Sequence, residues 1–142
     1  MYINNAYALV DSAERKPFYD QLPTDSFEAN ASHILCGDLN TSLGPSLDRS
    51  NGAYRHESSR LSCLERLSNL GVIDAWPQLH PGKCVFTGAQ PRLNRLDYIL
   101  VSENLFRTAY KDSIYASIPH KGDHLAHILK FASPSQLQVR GY

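Results

Sequence analysis

Three short stretches of the chain carry residue types that could do chemistry together. Gly37-Asp38-Leu39-Asn40 follows an apolar run, Arg95-Leu96-Asp97-Tyr98 leads into another, and Gly122-Asp123-His124 precedes a third. Each places a carboxylate at or beside a strand end, where a rigid scaffold can aim side chains from converging loops. In extended backbone, residues two apart point to the same side, so Asp38 and Asn40 are expected to face one spot. Carboxylate and amide oxygens are hard ligands that suit Mg²⁺, and also Mn²⁺. A metal beside a phosphate polarises its oxygens. A carboxylate next to a histidine orients the imidazole and favours its charged form. A charged imidazole stabilises negative charge that develops on a phosphate in the transition state. A further ionised Asp can take a proton from water. Together these residue types specify metal-assisted hydrolysis of a phosphate ester.

Each motif also has a plainer reading when taken alone. Gly, Asp and Asn are common turn residues, so Gly37 to Asn40 can be only a turn. Asp97 inside an apolar strand needs a partner, because an unpaired buried carboxylate is costly. A structural ion pair with Arg92 or Arg95 would supply one. Asp123 and His124 could cap a turn. Arg92, Arg95, Lys83 and Lys121 flank the three motifs and could meet a phosphate backbone, or be ordinary solvated charges. His120, His124 and His127, with Cys84, make a possible zinc set. Pro119 and Gly122 oppose the single helix that would align those histidines, and the three cysteines share no metal spacing.

The elements that must position these residues are short. A β-prone segment at 2–9 opens the chain, and a helix is expected over 14–22, with Asp11 or Ser12 near its start. Pro17 fits that helix only within its first turn. Residues 33–36 read as a buried strand closed by Gly37, followed by a long polar loop over 41–58. Leu61, Leu64, Leu67 and Leu70 mark the clearest helix, with Ser58 or Ser59 as its cap and Gly71 as its stop. Pro77, Pro81 and Gly82 mark loop. Strands are expected over 96–101, 114–118 and 125–131, with a short helix over 104–110. Strands interspersed with helices indicate a mixed α/β domain. With 142 residues the chain suits one domain, and 42% hydrophobic and 20% charged residues place it among ordinary soluble proteins. Fourteen basic residues balance fourteen acidic ones, so no overall field announces a nucleic-acid or membrane partner. No apolar run approaches the roughly 20 residues that a bilayer needs, and no signal peptide is visible. Three cysteines with no C-x-x-C spacing point to a reducing compartment, nucleus or cytoplasm, with Cys36 and Cys63 as small core residues.

The ordered series of motifs resembles the C-terminal half of the endonuclease/exonuclease/phosphatase superfamily. Asn5-Ala6-Tyr7-Ala8 is similar to the family's N-V-Y-A strand, and Gly37-Asp38-Leu39-Asn40 to its G-D-x-N. The block from Leu70 to Trp76, with His80-Pro81 and Phe86-Thr87, resembles the retroelement branch. Arg95 to Leu100 and Asp123-His124 complete the series. Within the family, the apurinic/apyrimidinic-type endonuclease domain of LINE-type retrotransposons is most similar. The resemblance implies one half of a two-sheet deoxyribonuclease-I-like α/β sandwich over residues 1–132, with 133–142 a polar tail. It implies that Asp38 orients or deprotonates the attacking water and also holds metal. Asn40 would bind the scissile phosphate or that water. Asp123 would be a metal ligand, and His124 would stabilise the transition state in a position held by Asp97. Tyr7 would touch the phosphate or leaving group, its alternative being an aromatic packed in the core.

The same resemblance implies Mg²⁺ as cofactor, DNA as substrate and a reverse-transcriptase domain in the parent polyprotein, with no membrane partner. Leu9 stands where the family usually has Pro, Gly122 where it has Ser, and Gly88 where a Trp often follows. The family's N-terminal half, which supplies an Asn and a metal-binding Glu, has no counterpart in the sequence. The 142-residue chain is therefore expected to bind Mg²⁺ poorly, to cleave DNA little by itself, and to expose an apolar face. Two other outcomes fit the same residues: a phosphomonoesterase acting on inositol or lipid phosphates, and a non-catalytic retroelement remnant.

Overall fold

The computed structural model describes residues 1–25, 27, 30–44, 46–50, 57–87, 93–117 and 124–132. Strand β1 (Tyr2–Asn5) leads to helix α1 (Ser12–Gln21) and strand β2 (His33–Asp38). Helix α2 (Glu57–Asn69), strand β3 (Val72–Asp74) and the single-turn helix α3 (Trp76–Leu79) follow. Strand β4 (Asp97–Ser102), helix α4 (Glu103–Thr108) and strands β5 (Tyr110–Ala116) and β6 (Ala126–Phe131) complete the order. One sheet runs β1-β2-β4-β3, parallel only between β1 and β2, and β5 and β6 form a separate antiparallel pair.

Alternation along β2 and β4 sends side chains to two cores. Leu35, Tyr98 and Leu100 face one side, where they pack with Tyr19 of α1 and Cys63 and Leu67 of α2. Ile34 and Val101 face the other, where Leu105, Ala109 and Tyr110 meet them and Leu129 of β6 packs alongside. The result is a layered arrangement: two helices, the four-stranded sheet, then the β5–β6 pair with α4. At about 25 cal/mol per Å² of apolar surface, both faces of the sheet contribute to stability. The mixed α/β class expected from the sequence is the class observed.

Several local expectations shift. Helix α1 begins at Ser12 under an Asp11 cap, whose side chain accepts from the Ala13 N–H at 2.8 Å. Pro17 is its sixth residue, beyond the first turn in which a proline costs nothing. Burial of Tyr19 and Arg15 offsets that loss, and α1 is stitched to α2 by Ser62 donating to Asp20 and by Arg66 Nη2 donating to Asp20 O at 2.6 Å. Ser58 and Ser59 lie inside α2 and do not cap it. Leu61 is exposed while Leu67 and Leu70 are buried, because a three-residue repeat drifts around a helix of 3.6 residues per turn. Strand β3 and helix α3 were not among the expected elements; Pro77 sits in the first turn of α3, where it is tolerated. Strand β5 starts at Tyr110, earlier than expected, since Ser113 and Tyr110 both turn inward. The expected polar tail over 133–142 lies outside the described residues.

Candidate active site

The C-terminal end of β2 and the start of β4 lie side by side, and register pairs Asp38 directly with Asp97. The chain before the acidic turn is locked by backbone pairing beyond β1: Ala6 N donates to Cys36 O at 2.9 Å and Ala8 N to Asp38 O at 2.8 Å. Gly37 makes that approach feasible. Its φ is +137°, and a Cβ there would lie 1.9 Å from Ala6 O. Only glycine fits.

After Asp38 the backbone turns. Asn40 adopts φ 47°, the left-handed region that Asn tolerates better than most residues. Its N–H donates to Asp38 Oδ1 at 2.7 Å, and its Nδ2 donates to Ala8 O at 2.7 Å. The motif is thus an Asx-type turn, and it also gathers two candidate functional groups. Helix α1 secures it from beneath. Arg15 and Tyr19, one helical turn apart, donate from Nη1 and Oη to the consecutive carbonyls of Asn40 and Leu39.

Opposite Asp38, His124 Nδ1 lies 2.7 Å from Asp97 Oδ2, with the His124 side chain 42% exposed. Asp38, Asp97 and His124 each offer a ligand atom, and these atoms lie within 4.8 Å of one another. Burial pushes the Asp38 carboxyl above its usual value, and Asp97 adds to that rise; the Asn40 N–H, His124 and Arg15 oppose it. A carboxylate of raised proton affinity is better suited to accept a proton from water. The two carboxylates fit a hard divalent ion. The imidazole is a poorer ligand for Mg²⁺ and is already oriented by Asp97.

Tyr7 is 67% exposed, because alternation with the buried Ala6 and Ala8 turns it outward. Its alternative as a core aromatic is therefore excluded. Asp123, Arg92 and Lys121 lie outside the described residues. Arg95 does not reach a surface where a phosphate backbone could meet it, and that expectation is corrected. It is 1% exposed, and its guanidinium donates to Asp74 at 2.6 and 2.8 Å and to Tyr115 Oη at 2.8 Å. Asp48 Oδ1 is 3.4 Å away. Burial opposes the guanidinium charge, but the Asp74 carboxylate more than offsets it and holds Arg95 protonated. Arg95 therefore pairs with Asp74 and not with Asp97. Among the described residues the alternative zinc set does not assemble either: His124 is bound to Asp97, His127 stacks on Tyr115 at 3.9 Å, and Cys84 lies near Ser46 O. His120 lies outside the described residues.

The sequence reading overlooked Arg15 and Tyr19, whose roles depend on which face α1 buries. It also overlooked Asp48, Asp74 and Tyr115. Asp74 and Thr87 stood within motifs noted above, without a role.

No protein-family model matches the sequence, and no curated protein does. Solved structures do match. An AP endonuclease from Archaeoglobus fulgidus is similar with TM-score 0.74 at 19% identity, over 92% of this chain and 61% of that one. A 3′–5′ exonuclease from Neisseria meningitidis gives 0.69 at 19%, over 91% and 60%. A 3′ phosphatase from Neisseria, bound to a product DNA hairpin, gives 0.66 at 22%, over 86% and 52%. The chain thus shares the fold of these structures, a deoxyribonuclease-I-like mixed α/β architecture with two sheets. The chain spans between about half and three fifths of the length of these three structures.

Proposed function

We propose that this chain carries much of the active site of a metal-dependent phosphodiesterase that cleaves DNA, of the kind encoded by LINE-type retrotransposons. The observation that carries the reading is the convergence of Asp38, Asp97 and His124 at the paired ends of β2 and β4. Similar folds that include an AP endonuclease and a structure bound to DNA favour nucleic acid as substrate. The retroelement-like block from Leu70 to Trp76 supports the narrower assignment.

In this reading Asp38, with its raised proton affinity, orients the attacking water and accepts its proton. Asn40 spends its backbone N–H and one side-chain donor on the turn, which leaves Oδ1 and a second amide hydrogen for water or the scissile phosphate. His124, anchored through Nδ1, directs Nε2 to a phosphate oxygen and stabilises its developing charge. Tyr7 offers an exposed hydroxyl to the leaving group. Asp38 and Asp123 would hold Mg²⁺ or Mn²⁺, whose contribution is to polarise the phosphate oxygens. Arg92 and Lys121 would meet the phosphate backbone, and a reverse-transcriptase domain would share the polyprotein, acting in the nucleus or cytoplasm.

The metal-binding Glu that the resemblance assigns to the family's N-terminal half has no counterpart in the sequence, so the 142-residue chain is expected to bind the metal weakly and to hydrolyse DNA slowly. Nicking of supercoiled plasmid and abasic duplex is the test, run with excess Mg²⁺ or Mn²⁺, with EDTA, and with Asp38→Ala and His124→Ala. The expected result is slow, EDTA-sensitive nicking that both substitutions abolish, with no phosphate release from inositol phosphates. Release from inositol phosphates without nicking would replace DNA by the phosphomonoesterase reading. Nicking that neither substitution affects would overturn the site. Loss of all activity, even when a portion of a similar fold supplies further metal ligands, would favour the remnant.

A further inference from the structure

Asp97 is held by more than its place in β4. Thr87 Oγ1, 1% exposed, accepts the backbone N–H groups of both Leu96 and Asp97 at 3.0 Å. On the other side, Tyr115 Oη donates to Asp97 O at 3.3 Å. That hydroxyl is itself fixed, because it accepts from Arg95 Nε at 2.8 Å. Arg95 in turn is clamped by Asp74 through two parallel hydrogen bonds and lies over the rings of Tyr98 and Tyr115 at 4.5 and 5.5 Å. Asp48 closes the cluster: its carbonyl accepts from Arg95 N at 2.9 Å, and its Oδ2 lies 3.0 Å from Tyr98 Oη. A buried ion cluster of this kind is weak evidence for stability, since desolvation consumes much of the Coulombic gain. Its better-attested use is to enforce one geometry, and a planar guanidinium with a bidentate partner does that well.

We propose that Thr87 and Tyr115, the latter locked by the Arg95–Asp74–Asp48 cluster, are positioning residues that aim the Asp97 carboxylate at His124 Nδ1. The proposal rests on the functional reading above, in which His124 must present Nε2 to the phosphate. The line of contacts runs Asp74, Arg95, Tyr115, Asp97, His124, from the far edge strand of the sheet to the site. Neither Thr87 nor Tyr115 touches a reacting atom. Their effect is on the angle and stiffness of the Asp97–His124 hydrogen bond, and so on which imidazole nitrogen carries the proton.

Nitrogen-15 NMR of the 142-residue chain, in the alkaline range where the imidazole is neutral, reads that tautomer directly. In the wild type His124 is expected to be the Nδ1–H form, and Asp97→Ala, which removes the acceptor at Nδ1, should lower the population of that form. Tyr115→Phe and Thr87→Val are expected to lose the Nδ1–H signature while circular dichroism stays native, and Thr87→Ser, which restores the hydroxyl, is expected to keep it. If Thr87→Val fails to fold, Tyr115→Phe decides alone, since its ring retains the stack on His127. A wild type in the Nδ1–H form with both variants unchanged would overturn the positioning proposal and leave the functional reading standing. A wild type in the Nε2–H form would remove the Asp97–His124 pair and both proposals with it.

Discussion

At the scale of single residues, burial sets the character of the site. Asp38 sits beside Asp97 with its carboxyl pushed above the usual value of 3.8, chiefly by burial. A carboxyl whose folded value is raised loses stability as pH climbs through the interval between unfolded and folded values, and above that interval the loss is complete. Asp38→Asn keeps an oxygen for the Asn40 N–H and removes the charge. It should therefore raise the melting temperature relative to wild type at neutral pH, with no gain below the ordinary carboxylate range, while abolishing hydrolysis. Equal melting temperatures at neutral pH would contradict this account of Asp38. His127 behaves oppositely. Among the described residues both its ring nitrogens are buried without a hydrogen-bond partner, and burial, helped by Arg95, lowers its pKa from 6.5 to about 3. The folded state then binds fewer protons than the unfolded one between those values, so stability is lost as pH falls from 6.5 toward 3. His127→Phe preserves a ring against Tyr115 and should flatten the acid limb in a series of thermal melts. An acid limb as steep as the wild type would assign the loss to other groups.

At the scale of elements, the junction of β1 with β2 governs where the acidic turn lies. Gly37 carries no side chain because Ala6 O and Asn5 Oδ1 occupy its space, and its positive φ adds to the restriction. Gly37→Ala should cost upward of about 2 kcal/mol in denaturant titration, more than an ordinary Gly→Ala change in a strand. A loss near zero would mean that the β1–β2 approach is looser than it looks. Helix α1 secures the same turn through Arg15 and Tyr19, which face the sheet one turn apart. The strands at 33–36, 96–101 and 125–131 and the helix ending at Gly71 could be read from apolar runs and stop signals. Strand β3 and helix α3 could not. Three residues give too short a run to show alternation, and a proline in the first turn of a helix looks like a proline in a loop.

At the scale of the whole molecule, the sheet is covered on one face by α1 and α2 and on the other by α4 with the β5–β6 pair. The outward face of that pair leaves Ile114 and Ile128 exposed opposite each other, and Ile3 on the edge strand β1 is also exposed. Exposed apolar surface was expected from the sequence, and paired β-branched residues on an open strand face favour self-association. Ile128→Thr keeps strand propensity while breaking the apolar pair. It should raise the concentration at which light scattering detects aggregates and change the unfolding free energy by less than about 0.5 kcal/mol. Unchanged aggregation would point to the β1 edge instead. Among the described residues no helix is long and apolar enough to cross a membrane.

The sequence alone determined the fold class and the candidate chemistry, because apolar runs, stop signals and an ordered set of acidic motifs are local features. Asp38, Asn40, Asp97 and His124 could be named from their types and their places beside strands. What surrounds them could not. Arg95 looked like a surface cation, yet it is buried, because Asp74 arrives from a neighbouring strand and Asp48 from a loop far away in sequence. Thr87 and Tyr115 acquire a bearing on Asp97 only when a loop and the β5–β6 pair fold against β4. Desolvation and hydrogen bonding depend on which groups meet across the chain, and no pattern along the chain records those meetings.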